Sequence, residues 1–583
     1  MLFTMSRKRT CMKNIRFNIK TIWCLFVGIS MLLTSCSDFL DFTPEDVVTS
    51  DENFQNVYDA DAAVRGIYGK LIGLADEYVI LNELRADLMD VTANANHYLR
   101  EINLHEATAD NPYADPSLFY SVINDCNNAL MNFNIMLKDL KFSQEDYNQR
   151  YSDIAAVRSW LYLQLVIQFG KVPYITTPID EISDIKMLKD SVFPMLTIEP
   201  MIDSLVDCME NIPYKGLYTD ETMMTTLDGY NTKVMYIDKQ YLLGELYLWQ
   251  GDYLNSAIQF KNVMERDIGY NDYDTYKLPT DFFTDECYNS RYVRYYEHDI
   301  NSVVNNWPKM FSEIQTKSYY CEWIWTMYFS EYYEPENPFI DLFAYNGGSY
   351  LLKPSDYAIS NWDSQIQKND FLGDMRGEGS SYYLVGDNPV ISKFVSSYNY
   401  TSAPYNRSGN WFLWRAAGLH LKYSEAANRD GYSKVAYALM NLGIKTTYAD
   451  PDATDFYYQN QTLLAFPYDF DGRQTSSSQV PPGLHGEYYR NMGVRGRVYT
   501  AALEYPEDVD SLTYTEDKIL DEAALELAFE GERWGDLVRV AIHRNNPSIL
   551  ADRIYNKLKM AGYGEAEAVR TKLMSRENWF IPY

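Results

Sequence analysis

The chain has 583 residues, 81 of them acidic against 51 lysines and arginines, for a formal net charge of -30. Such a surface repels phosphate backbones and anionic headgroups, which excludes nucleic acid as a partner. Apolar content of 46% supports a real core, while 15% aromatics, including 52 tyrosines and 11 tryptophans, suggest surfaces for amphipathic ligands as well.

In chain order, the first element is a leader. Arg7, Lys8, Arg9, Lys13, Arg16 and Lys20 precede an apolar run from Thr21 to Leu33 that closes on Leu33-Thr34-Ser35-Cys36. The run is too short for a bilayer core, which needs roughly 20 residues, and reads as a signal peptide over 1–35. Leu-Thr-Ser-Cys resembles the bacterial lipobox, which implies that Cys36 is lipidated and anchors the mature protein. Met12 also opens an ordinary leader and is an alternative start. Past the leader, Cys126, Cys208, Cys287 and Cys321 are far apart with no Cys-x-x-Cys, so mostly free buried thiols are expected, with room for one disulfide.

From Asp51 to about Lys261 helical periodicity dominates. Ile154, Val157, Trp160, Leu161, Leu165 and Phe169 recur at three- and four-residue spacing, and Gly170 with Pro173 marks the stop. Tyr241–Met264 carries Leu243-Gly244, Tyr247, Gly251-Asp252-Tyr253, Ala257 and Phe260, and resembles a tetratricopeptide repeat with the alanine one place late. Between Gly269 and Gly409 the pattern breaks into stretches such as Glu331-Tyr-Tyr-Glu-Pro-Glu-Asn-Pro338 and Tyr345-Asn-Gly-Gly-Ser-Tyr350, which predict loops and short strands. Helix returns at Trp411–Asn428 and Glu516–His543. The expected organisation is therefore a mainly α, tetratricopeptide-like scaffold with a large irregular insertion: helical repeats over 36–268, an irregular aromatic-rich part over 269–510, and helices over 511–583 that rejoin the scaffold. Long loops on a rigid frame are where binding usually resides.

Several segments together resemble the SusD-like (RagB/SusD) family of outer-membrane nutrient-binding lipoproteins. They are Cys36-Ser-Asp-Phe-Leu-Asp41, Val122–Leu130, Ala156–Tyr162 running into Phe169-Gly-Lys-Val-Pro173, the repeat-like stretch, Arg415 with Leu421–Asn428, Gly493-Val-Arg-Gly-Arg497, and Asp521–Arg539 with Glu526-Leu-Ala-Phe-Glu-Gly-Glu-Arg533. The resemblance implies a lipid-anchored, surface-exposed outer-membrane protein that captures oligosaccharide or polysaccharide and passes it to a SusC-like TonB-dependent transporter, with no cofactor. A peptide-binding member of the same family is the alternative. A surface glycoside hydrolase with paired carboxylates is a third reading, and sequence spacing alone cannot supply its geometry.

Two clusters combine rings with amides and charges where the resemblance implies ligand contacts. Arg85 and Asp87 with Asn94, Asn96, His97 and Tyr98 form the first. The second is Tyr319, Tyr320, Trp323 and Trp325, with Trp307 and Trp362; on an extended segment Trp323 and Trp325 would face one side and make a stacking platform. The charged run from Glu530 to Asp536 reads as ion pairs between helices. Asp469-Phe-Asp471-Gly472 lacks the oxygen ligands of an EF-hand, which leaves a non-EF-hand metal site open but names no metal ligand, and no catalytic residue is expected.

Overall fold

The computed structural model describes residues 54–179, 193–218, 223–267, 276–277, 307–312, 321–401, 407–450, 460–473, 486–504 and 510–583. The leader, Cys36, Tyr319 and Tyr320 lie outside them. Asn56–Tyr583 make up one unit by internal contact.

Helix α1 (Val57–Leu71) starts in a capping box, Asn56 accepting from the Tyr58 N–H and Asp59 answering to the Asn56 N–H, and buries Val64, Ile67, Tyr68 and Leu71 on one face. A short helix, α2 (His97–Asn103), is capped by Asn96. Next come α3 (Ser117–Lys138) and α4 (Gln144–Phe169). In α3 Phe119, Val122, Ile123, Cys126, Leu130 and Phe133 line a single stripe. The expected stripe of α4 is present and the helix ends at Gly170, but from Ser152 onward every residue is buried. Its central position, rather than amphipathicity, explains why its polar residues Asp153, Arg158 and Gln168 are internal and hydrogen-bonded.

After α5 (Ile198–Asn211), α6 (Lys239–Gln250) and α7 (Tyr253–Glu265) form the repeat-like hairpin. Gly244 explains its motif: a Cβ there would lie 2.9 Å from the Phe260 ring, so only glycine lets the helices approach this closely. Ser256, standing one place before Ala257, donates to the Gly244 carbonyl at 2.8 Å. A second hairpin, α8 (Ala416–Arg429) and α9 (Ser433–Met440), packs on α7, and α10 (Ser511–Glu526) returns against it. The chain closes with α11 (Arg533–His543), α12 (Ser548–Met560) and α13 (Ala566–Leu573). The fold is mainly α and tetratricopeptide-like, as expected.

Strands occur among the described residues as five antiparallel pairs. They are β2 (Lys171–Pro173) with β3 (Met195–Thr197), β4 (Thr226–Leu227) with β5 (Tyr230–Asn231), β8 (Tyr382–Val385) with β9 (Asn388–Ile391), and two that matter most here. β1 (Met89–Val91) pairs with β7 (Leu352–Pro354) and fastens the N-terminal part to the insertion. β6 (Trp323–Phe329) pairs with β10 (Gly409–Arg415) through two register shifts, and every residue of both strands is buried.

Beneath this ribbon the separated segments of the sequence meet. Arg415 holds Glu322, Glu526 and Glu530; Arg497 holds Glu322 and Glu526; Arg376 holds Asp374, Glu522 and Glu526. Arg495 pairs with Glu522 and Lys393 with Glu530, so five cations face five carboxylates. Burial opposes the charge on Glu526, yet Arg497, Arg415 and Arg376 hold its carboxyl well below the usual range. The run from Glu530 to Asp536 is likewise engaged: Glu532 with Lys422, Arg533 with Asp87, Asp536 with Arg539. Cys126 is a buried free thiol, Cys208 a half-buried one, and Cys321 is disulfide-bonded.

Candidate functional site

The tryptophan candidates require a correction. Trp323 and Trp325 do lie two apart on a strand, but they are 1% and 0% exposed, and Trp362 is 1% exposed. Trp325 packs edge-on to Trp160 at 5.1 Å and against Trp414 at 4.6 Å, while Trp323 stacks on Phe412 at 4.6 Å. Their indole N–H groups are spent on backbone carbonyls, Trp323 on Met310, Trp325 on Met235 and Trp362 on Leu525. Trp307 is also fully buried. The signal in the sequence was the run Trp-Ile-Trp-Thr-Met-Tyr-Phe itself: without polar alternation, a strand is covered on both faces and offers no open platform.

Arg85 and Asp87 are internal as well, 3% and 0% exposed. Asp87 accepts two 2.7 Å hydrogen bonds from Arg533. Burial raises its carboxyl, and the adjacent guanidinium more than offsets this, leaving it below its ordinary range. Arg85 donates to Gln168 at 2.6 Å and to the Trp579 carbonyl, and lies over the Trp534 ring at 4.2 Å. Both residues fasten the N-terminal segment to the C-terminal helices.

What remains of the first cluster is exposed and structurally fixed. Asn96 caps α2 by accepting from the Leu99 N–H at 3.0 Å, and its amide nitrogen points at the Tyr113 hydroxyl at 3.5 Å. The His97 and Tyr98 rings lie 3.8 Å apart, His97 exposed and Tyr98 half-buried. Arg100 holds the preceding turn through the Thr92 and Ala93 carbonyls, each at 3.1 Å. Asn94 donates to the Ser349 carbonyl at 3.1 Å and Thr92 to the Tyr350 carbonyl at 2.6 Å, so the edge is shared with the loop from Tyr345 to Tyr350. That loop carries Tyr345, 41% exposed, edge-on to Tyr350 at 5.1 Å. Its glycines are obligatory: Gly347 has φ +78, and a Cβ on Gly348 would meet the Ile340 carbonyl oxygen at 2.1 Å. Amide donors and acceptors beside ring faces can hold a hydroxylated ligand; the edge shows no nucleophile set beside a base.

Ser349 and Tyr345 were missed from sequence because their loop meets Asn94 only through pairing of β1 with β7, whereas Tyr113 lies 17 positions past Asn96, just beyond α2. The tyrosines flanking Gly-Gly were the one available hint. A second concavity, about 240 Å³ and mostly apolar, is walled by Tyr68, Ile72, Tyr236, Met327 and Tyr328, with Tyr333 (64% exposed) at its mouth. Asp469 and Asp471, the calcium-loop lookalikes, face Lys261 and Arg473.

Comparison with known proteins agrees with the architecture. The fold resembles surface glycan-binding protein A from Bacteroides uniformis (15% identity, 90% of this chain and 95% of that one covered, TM-score 0.54). It also resembles a laminarin-binding SusD-like protein (13% identity, 91% and 96% covered, TM-score 0.53) and a SusD superfamily protein from Bacteroides vulgatus ATCC 8482 (13% identity, 90% and 97% covered, TM-score 0.54). No curated protein sequence matches the chain. Residues 343–580 match the model of the SusD family, a segment that contains Arg376, Arg415, Arg497 and Glu526, the centre of the buried ion network; over that segment the chain is similar to the SusD family.

Proposed function

We propose that the protein is a cell-surface nutrient-binding lipoprotein that captures oligosaccharide or polysaccharide without chemically altering it. In this reading Cys36 carries the lipid anchor, and the cargo passes to a SusC-like TonB-dependent transporter in the outer membrane. Among the described residues no helix is long and apolar enough to cross a membrane. The glycan assignment draws on two fold relatives, one a surface glycan-binding protein and one laminarin-binding.

The observation that carries the reading is the exposed edge of Asn94, Asn96, His97 and Tyr98 with Tyr345. It places rings beside amides on a frame held by backbone pairing and a helix cap. A sugar face on one such ring removes roughly 60 to 100 Å² of apolar area, or roughly 2 kcal/mol at ~25 cal/mol/Å². One or two stacks and a few amide hydrogen bonds yield modest affinity after the cost of association, which suits a protein that must release its cargo.

Calorimetric titration of the protein against a panel of neutral oligosaccharides and peptides, with product analysis of each mixture, tests this. Saturable binding of a glycan that is recovered intact is the expected result. Cleaved glycan would replace the reading with a hydrolase, and binding of peptides alone would move it to the peptide-binding branch of the family.

A further inference from the structure

Most buried cations of this chain are matched. Arg376, Arg415, Arg533 and Arg539, all nearly inaccessible, each hold a carboxylate. Around His105 the pattern differs. The Arg85 guanidinium meets the neutral Gln168 amide, the Trp579 carbonyl and the face of the Trp534 ring, but no carboxylate, and its Nε–H has no acceptor among the described residues. The fully buried Lys557 ammonium donates to the Leu84 carbonyl and the Asn103 amide oxygen, both at 2.7 Å. Lys572 donates once, to the His105 carbonyl at 2.6 Å. None of these three is ion-paired to a carboxylate among the described residues, in a chain of net charge -30.

Burial pushes Arg85 down to about 9 and Lys557 down to about 8, so both stay charged at neutral pH. His105 titrates well below its ordinary value, because of burial first and then the positive charges of Arg85, Lys557 and Lys572. Its Nε2 lies 2.8 Å from the Arg85 carbonyl and therefore donates, and the lowered titration keeps the imidazole neutral at pH 7. Uncompensated buried charge is costly, and a counter-charge offsets that cost.

A pocket of about 260 Å³ opens at this spot, lined by Arg85, His105, Lys572, Ile102, Asn578 and Pro582. One carboxylate, Glu577, stands at its wall; it is exposed and accepts from Ser575 Oγ at 3.2 Å. We propose that this pocket binds the anionic group, carboxylate or sulfate, of a small ligand, with Arg85 Nε–H and the Lys572 ammonium as donors. Arg85 thus has a ligand role at a place separate from the Asn96 edge. The site does not depend on the glycan reading.

The test is calorimetry of the protein with sodium glucuronate and with sodium sulfate at constant ionic strength, and with glucose as the neutral control. At least one anion is expected to bind saturably and glucose not at all; glucuronate alone marks a planar carboxylate site, sulfate alone a tetrahedral one, and both a shared one. Lys572→Glu should weaken the anion at least tenfold and Lys572→Arg should retain it, whereas Lys559→Glu, on the exposed face of α12, should leave it unchanged. Lys572 is exposed, so these variants keep the fold. Absence of binding by both anions at tens of millimolar, or an affinity indifferent to Lys572→Glu, overturns the proposal. Neutral-glycan affinity in the same variants is expected to stay constant, which separates this test from that of the Asn96 edge.

Discussion

Two clusters of similar composition have opposite fates in this molecule. The ribbon of β6 and β10 gathers Trp323, Trp325, Trp411 and Trp414 and hides all four, while the edge at α2 shows His97 and half of Tyr98 to solvent. Composition does not separate them. Covering does: the ribbon is packed against α4, whose Trp160 touches Trp325, and against Phe311 and Phe394, which meet Phe412, whereas α2 is a short helix standing on one side of a two-stranded pair. Between these two clusters, then, aromatic residues stay open to solvent where the sequence around them interrupts its apolar run with amides and a cap.

The largest effect should come from the ribbon. Trp325→Ala removes a side chain with no solvent exposure that touches two other indoles and donates to the Met235 carbonyl. A loss of about 3–5 kcal/mol of stability is expected, read by chemical denaturation, with glycan affinity unchanged in whatever fraction stays folded. Weakened binding by a stably folded variant would return Trp325 to the ligand surface and erase the distinction between the two clusters.

A second buried group sharpens the contrast in the opposite direction. Glu77 is 8% exposed, its Oε1 has no hydrogen-bond partner among the described residues, and burial, with the Asp76 and Asp115 charges, pushes its carboxyl up to about 9. Because the folded value lies above the unfolded one, the folded state takes up a proton between roughly pH 4.5 and 9, and stability falls as pH rises through that window. Glu77→Gln should remove this slope. The variant should match the parent below about pH 4 and exceed it by up to about 3 kcal/mol at pH 7, measured as denaturation midpoints across pH. Equal stability at both pH values would mean that the site is wet and the carboxylate solvated.

Much of the scaffold was legible because its signals are local. The stripe of α4 and its stop at Gly170, the Leu-Gly and Ala-Phe positions of the α6–α7 hairpin, and the paired charges after Glu526 all rest on spacing within one or two helices. The site was legible only in part, since it is built by long-range pairing. Nothing near Asn94 announces that it meets Ser349, 255 positions away. The insertion also read as more exposed than it is, because Tyr-, Gly- and Asn-rich sequence looks like loop even where a ribbon inside it is sealed on both faces. Arg85 and Asp87 show the same limit: a charge beside a polar run looks accessible until the partner that encloses it, Arg533 or Trp579, arrives from the other end of the chain.

The smallest expected effect tests the exposed side of the comparison. Tyr98 presents its ring beside His97, and the hydrogen bond its carbonyl accepts from Asn111 survives in alanine, so Tyr98→Ala should cost little stability. Removing one stacking face should weaken glycan binding about tenfold, equivalent to about 1.4 kcal/mol, with helical circular dichroism unchanged. Tyr333→Ala, at the mouth of the apolar concavity, is the control: a ring more exposed than Tyr98, removed away from the amides. Should Tyr333→Ala weaken glycan binding and Tyr98→Ala leave it intact, capture belongs to the concavity, and the amides at Asn94 and Asn96 only fasten the insertion to α2. The reverse result makes the rule specific, because a ring would then bind only where Asn94 and Asn96 supply hydrogen bonds that fix the sugar's orientation on it.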